Sequence, residues 1–340
     1  MARATVWDVA RHAEVSVATV SRVLNGTKRV SVASRQRVEA AIAELNYSPS
    51  SAAQSLRLSK TQALGLVLPG LENPFFPSLI EQAARVAEKA GYSLTIRLSS
   101  TPMATAAEMS QGQQVDGIVV VGNQGDPEPT DGLRRALVPL VAFDRLPGDA
   151  SLPLFQVANS HGAAQVVDHL LGRREGRVRL LHIAGPSGID VSADRRAGVE
   201  GAVLAARAAG RAVDLVVRQG DFSERSGFAA AAALLRDSDA PTAIFAANDL
   251  MAIGAIRAAQ AAGLEVGSDI IVAGFDGLDL GAYVTPTLTT YRQPIAHISH
   301  QAVTHLIGLI QAGTTTESPP RVSRFDGELV VRDSTGGPDA

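Results

Sequence analysis

The sequence predicts an all-α head over residues 1–48 and an α/β body from residue 62 onward. Three observations carry this. Apolar residues of the head recur at helical spacing in three short stretches, each opened by a residue able to cap a helix. From Ala63 onward, short apolar runs alternate with amphipathic helical stretches. Charge divides along the same line: residues 1–60 hold nine Lys/Arg against four Asp/Glu, a net of +5, which leaves −8 on the remainder of a chain whose total is −3. A basic head on an acidic body means that the head is the part suited to a polyanion.

Composition sets the frame. The chain of 340 residues is long enough for two or three domains. Hydrophobic residues make up 46%, enough to bury a core, but aromatics only 4%, so that core is built mainly of Ala, Val, Leu and Ile. With no cysteine, a disulfide framework, a thiolate metal site and a cysteine nucleophile are excluded. The N-terminal MARATVWDVARHAEVS lacks the apolar run of a signal peptide, and no apolar stretch is long enough to cross a bilayer. The expected location is cytoplasmic.

The head reads in order. Thr5 and Asp8 form a T-x-x-D start, followed by Val6, Val9, Ala10 and Ala13 at helical spacing. Ser16 can cap a second helix through Val20, Val23 and Leu24, stopped at Asn25 and Gly26. Ser31 can cap a third, with Val38, Ala41, Ile42 and Leu45 on one face. Three short helices with a tight turn between the first two describe a helix-turn-helix domain. Pro49 then breaks the third helix, and residues 50–56 could form two turns of helix too short to be stable alone.

Residues 5–26 (TVWDVARHAEVSVATVSRVLNG), the pair at 30–31 (VS) and residues 37–47 (RVEAAIAELNY) closely resemble the helix-turn-helix of the lactose repressor/galactose repressor family. The resemblance implies that the second helix enters the major groove. Val17, Ala18, Ser21 and Arg22 would then face the bases, and Arg22 can pair bidentately with guanine. Thr5, Trp7, Ser16, Thr19, Asn25 and Arg29 would hold phosphates, which set register. It also implies that 49–61 is a hinge helix and linker that folds on DNA, with Ala53 allowing close approach of two copies and Leu56 wedged between base pairs. One departure is Glu14, where the family usually has Gly; a residue with a side chain at positive φ costs on the order of 1 kcal/mol.

In the body, the apolar runs are 63–68, 93–98, 117–121, 139–143, 178–183, 215–218, 242–246 and 270–275, with helix-like stretches at 77–90, 160–172, 192–209, 224–236 and 249–262. This βαβα order predicts parallel sheets with helices on both faces, and two doubly wound sheets rather than one. Ligands of such sheets lie at the carboxyl ends of the strands. Several stretches at or near those ends also resemble the same family: NPFF (73–76), VDG (115–117), FDR (143–145), R-x-x-G (195–198), GDFS (220–223), PTAIFAAND (241–249), GFD (274–276), PTLTT (286–290) and LVVRDST (329–335).

The resemblance implies a body of periplasmic-binding-protein type over 62–340 that binds an effector and dimerises. Its amino-terminal subdomain would take about 62–158 plus 291–320, and its carboxy-terminal subdomain about 159–290 plus 321–340. Carried over by position, the effector cleft would include Phe75, Phe76, Asp144, Arg195, Phe222, Asn248 and Asp276. Carboxylates accept, Arg195 donates, Asn248 does both, and an aromatic face can stack on a sugar ring or a purine. The segment 99–114 is shorter than usual, so its helix is expected to be truncated. His297 and His300 could share a helix face, but no third ligand stands at suitable local spacing; no metal and no cofactor are expected.

The expected function is a sequence-specific DNA-binding transcription regulator, a homodimeric repressor on a pseudo-palindromic double-stranded operator, controlled by a small effector, with a sugar or sugar derivative as first choice. A purine- or nucleoside-responsive regulator is the alternative within the family; a periplasmic-type sugar-binding protein is the alternative outside it. Enzyme readings fail on motifs: LPGLEN (68–73) stands where a dinucleotide fingerprint would, and there is no phosphate loop, nucleophile elbow or H-E-x-x-H. No membrane partner is expected.

Overall fold

The computed structural model describes residues 4–24, 30–47, 61–122, 136–144, 152–236, 239–315 and 322–337. The chain divides into a unit ending at Thr61 and a unit starting at Gln62. Asn25, Arg29, Ala53 and Leu56, expected at the DNA, lie outside the described residues, as does most of the expected hinge segment.

The first unit holds α1 (Val6–His12), α2 (Val17–Leu24) and α3 (Val32–Glu44). Each starts where the sequence offers a cap. Thr5 and Asp8 form a reciprocal capping box on α1, and the Ser16 and Ser31 hydroxyls accept from the Thr19 and Ser34 amides. Val9, Ala10, Ala13, Val20, Val23, Val38 and Ala41 form the core. Glu14 sits in the α1–α2 turn at φ +49°, the left-handed conformation expected there.

The second unit is built on two six-stranded sheets. Its elements are β1 (Ala63–Leu68), α4 (Phe75–Lys89), β2 (Ser93–Leu98), α5 (Pro102–Gln111), β3 (Gly117–Val120), β4 (Leu140–Phe143) and β5 (Leu154–Val157). Then come α6 (Asn159–Gly172), β6 (Val178–Ala184), α7 (Asp190–Ala208), β7 (Val213–Gln219), α8 (Glu224–Ala232), β8 (Ala243–Ala246), α9 (Asp249–Ala261) and β9 (Ile271–Asp276). The last are β10 (Thr289–Arg292), α10 (Ile295–Ala312), β11 (Val322–Phe325) and β12 (Glu328–Val330). Sheet order is β11-β5-β4-β3-β1-β2 in the first subdomain and β12-β10-β9-β8-β6-β7 in the second. Every pairing is parallel except β12 with β10. Inner strands such as β1 are buried along their whole length, because helices cover both faces.

Four strands escape the sequence reading: β5, β10, β11 and β12. They matter because the chain passes between the subdomains beside them, at Ala158, at Gln293–Pro294 and at Asp326–Gly327. The expected boundaries shift accordingly. β10 stays in the second sheet to Arg292, not 290. β11 pairs with β5 in the first sheet, so 322–325 belong to the amino-terminal subdomain and not, as expected, to the carboxy-terminal one. The crossings are tied together: the Ala158 amide donates to the Phe325 carbonyl at 2.9 Å, and the Gly327 amide to the Tyr291 hydroxyl at 2.7 Å. The segment 99–114 does contain a helix, α5, of ten residues.

Candidate functional site

Two surfaces carry the chemistry, one on each unit. On the head, α2 turns Val20 and Val23 inward. Ala18 and Arg22, one turn apart, are exposed, while Val17 and Ser21 flank them half-buried, Val17 leaning on the head core. These are the four side chains that the family resemblance places at the bases. Trp7 is 68% exposed and is available to a partner. The hydroxyls of Thr5 and Ser16 are exposed but also cap α1 and α2, so either can meet a phosphate only while keeping that role.

On the body, the first subdomain's β1–α4 loop and the start of α4 face the loops after β6 and β7 and the starts of α8 and α9 of the second across a cavity of about 370 Å³. Asn73 and Phe76 line one side, and Ile189, Phe222 and Leu250 the other. A volume of this size suits a small ring compound. Phe222 is held at φ +69°, and its ring packs over Gly185, where an added Cβ would strike it; this is a position that requires glycine.

Next to Asn73, behind the residues that line the cavity, lies a buried polar hub whose two charged members, Arg195 and Asp276, are not themselves lining residues. Arg195 and Asp276 are both almost fully buried, with their charged groups 3.7 Å apart. Arg195 donates to Asn159 Oδ1 at 2.8 Å and to the Ala247 carbonyl at 2.6 Å, and its guanidinium lies 4.0 Å from the centre of the Phe275 ring. Asp276 accepts from Gln293 at 2.7 Å and, across the cleft, from Asn73 at 3.4 Å. Burial pushes the Asp276 carboxyl up to about 7; Arg195 opposes the rise and Asp249 adds to it. Asp249 is likewise raised by burial, to about 6, while the Thr290 hydroxyl and the Leu278 amide donate to it and oppose the rise.

The other expected cleft residues divide. Phe76 and Phe222 line the cavity; Phe75 packs edge-on against Phe76 and towards Phe143, as a supporting core residue. Asn248 caps α9 by accepting from the Met251 amide, and donates to the Phe222 carbonyl at 2.9 Å, so it shapes the Phe222 loop. Asp144 directly follows β4, buried, at φ +63°, and is not among the residues lining the cavity. Sequence reasoning missed Asn159 and Gln293, which hold the two charges, and passed over Asn73 inside its own NPFF stretch. No local pattern marks Asn159 or Gln293; their role exists only where the chain crosses between subdomains. His297 and His300 are both exposed on α10, and among the described residues no three His, Asp or Glu side chains are grouped to hold a metal ion.

Comparison with known proteins matches both halves. Residues 5–50 match the family described as bacterial regulatory proteins, lacI family, and residues 167–335 match a periplasmic binding protein-like domain. A ribose operon repressor of Halalkalibacterium halodurans is 34% identical over 98% of this chain and 97% of its own length. The HTH-type transcriptional repressor CytR of Escherichia coli is 32% identical over 98% of this chain and 96% of its own. A crystal structure of the lac repressor dimer bound to operator and the anti-inducer ONPF superposes with a TM-score of 0.84 at 29% identity, covering 98% of this chain and 99% of that one. With an exposed helix face on one unit and a ligand-sized cleft on the other, the chain belongs to the lacI family of bacterial regulatory proteins, as a sequence-specific DNA-binding transcription regulator.

Proposed function

We propose that this regulator is a cytoplasmic, non-enzymatic repressor that binds a pseudo-palindromic operator as a homodimer and responds to a sugar or sugar derivative in the body cleft. The observation that carries the reading is the Asp276 hub. One carboxylate receives hydrogen bonds from the first subdomain through Asn73 and from a crossing through Gln293, and faces Arg195 of the second subdomain. A ligand that competes for Asp276 acts on both sides of the cleft at once, so it has different affinity for open and closed forms, which is what effector control requires. Phe76, Phe222, Arg195, Asp276 and Asn73 are the proposed contacts, with Phe75, Asp144 and Asn248 supporting them.

Ribose is the first effector to test, because two of the similar curated proteins, from Halalkalibacterium halodurans and Escherichia coli, are ribose operon repressors. The exposed α2 stripe around Arg22 is the proposed base-reading surface. The test is calorimetric titration of the whole protein with ribose and other pentoses, beside an operator-binding assay. Wild type should bind a sugar and change operator affinity; Asp276→Asn should bind operator yet lose the response. A wild-type protein that binds operator but no sugar overturns the reading. A nucleoside effector is the second reading, favoured by the flat Phe222 ring on the cavity wall.

A further inference from the structure

The cleft's charge and its spare hydrogen-bonding capacity select between effectors that otherwise fit the same cavity. Three charged side chains line the cavity among the described residues, Glu72, Asp221 and Glu224, and all three are acidic and exposed. They come from both sides: Glu72 from the β1–α4 loop, Asp221 from the β7–α8 turn and Glu224 from the first position of α8. Glu72 folds its carboxylate back over Gly70, where an added Cβ would meet it. The Ser223 and Ser226 side chains hold the Asp221 carboxyl below its ordinary value, so it stays ionised. Buried polar groups behind the cavity wall point the same way. Gln293 is 5% exposed, and while its Nε2 donates to Asp276, its Oε1 accepts from nothing among the described residues. The second oxygen of Asp276 accepts from Asn73 at 3.4 Å, a long contact. Buried beside Phe222, against Gly185, the Ser192 hydroxyl also lacks a partner among the described residues. Arg195, the cation at the hub, already donates to Asn159 and Ala247.

Beside the cavity, the buried side-chain atoms without a partner among the described residues are therefore an acceptor, Gln293 Oε1, and the Ser192 hydroxyl, behind an acidic mouth. A phosphate ester brings acceptors and negative charge, the opposite of what such a site lacks; a polyol brings hydroxyl donors and no charge. We infer that the cleft takes an uncharged, hydroxyl-rich effector and rejects its phosphorylated counterpart. This rests on the reading of the cleft as the effector site and adds the chemical class to it. The acids select by repulsion, an element of specificity independent of the attractive contacts.

The test is calorimetric titration of the whole protein with matched pairs: ribose and ribose 5-phosphate, glucose and glucose 6-phosphate, cytidine and cytidine 5′-monophosphate. In the pair that binds, the uncharged member should bind tighter by about tenfold or more. The ratio should shrink in the double variant Glu72→Gln/Glu224→Gln, and also at high salt, because exposed carboxylates are screened. Equal or tighter binding of the phosphorylated member overturns the inference, as does a ratio that neither the double variant nor salt changes. If a phosphorylated compound binds best and Asp276→Asn abolishes that binding, the cleft reading stands and only this inference falls. If no member of any pair binds, the cleft reading falls and this falls with it.

Discussion

Arg195 and Asp276 face each other 3.7 Å apart, and each is held by a residue next to a crossing between the subdomains: Asn159 accepts from the one and Gln293 donates to the other. A buried pair broken on one side leaves the other charge uncompensated, which typically costs about 3–5 kcal/mol. Arg195→Ala should approach that range in chemical denaturation at neutral pH, since Asn159 and the Ala247 carbonyl also lose their donor. Asp276→Asn keeps the shape and can still accept from Gln293, so it should cost less. A smaller loss for Arg195→Ala than for Asp276→Asn would show that the hub is not organised around the guanidinium.

The raised carboxyls give stability a pH dependence of definite sign. Asp276 at about 7 and Asp249 at about 6 lie above the ordinary 3.8, so folding favours their protonated forms. That contribution is fully present below the ordinary carboxylate value and is lost as pH rises through about 6 to 7. Denaturation of wild type and Asp276→Asn across this interval should show the variant gaining relative to wild type as pH increases. A constant difference between the two curves would contradict it.

Effector affinity should carry the same signature in reverse. Sugar hydroxyls donate best to an ionised Asp276, whose neighbours are Arg195, Asp249, Asn73 and Gln293. Binding should strengthen with pH up to about 7, by at most about tenfold per unit, and level off above. Calorimetry in two buffers of different ionisation enthalpy should detect proton release below that point, and Asp276→Asn should abolish it.

On the head, Glu14 holds φ +49° with a side chain. Glu14→Gly should raise the stability of the helix-turn-helix by about 0.5–1 kcal/mol, because glycine adopts this conformation without steric cost. It also removes a negative charge, so binding to non-specific DNA at low salt should tighten. A lower melting temperature for the head would show that Glu14 makes a stabilising contact that outweighs the strain.

Arg22 and Trp7 should separate reading from positioning. Arg22→Ala should relax base preference at one position per half-site, at a cost of about 1–3 kcal/mol per affected pair. Trp7→Ala, at a residue 68% exposed, should leave folding nearly unchanged and weaken all operator sequences alike. Identical sequence profiles for the two variants, measured by binding to a randomised operator library, would rule out this division.

Much of the architecture is written in short-range patterns. The capping box at Thr5 and Asp8, the caps at Ser16 and Ser31, and the buried run of β1 all involve residues within a few positions of one another, so spacing alone reveals them. Positive φ at Glu14 was legible through the family resemblance, because the family usually has Gly at that turn position. The strands beside the crossings were not legible. β5, β10, β11 and β12 are only three or four residues long and differ in burial, so they show neither a long apolar run nor a clean alternation.

The site shows the same division. Arg195, Phe222 and Asp276 could be picked from the sequence through family resemblance, but their partners could not. Asn159 is 36 positions from Arg195, and Asn73 is 203 from Asp276; only the return of each parallel strand to the same edge of its sheet, and three passages of the chain between sheets, brings them within hydrogen-bonding reach. That Asn248 turns its amide to a helix end and the Phe222 loop, and that three carboxylates meet at one mouth, was likewise decided by packing. Sequence determined which helices and strands form and which residue types are available to bind, because those depend on neighbours along the chain. Tertiary structure decided which of them share a site, because that depends on neighbours in space.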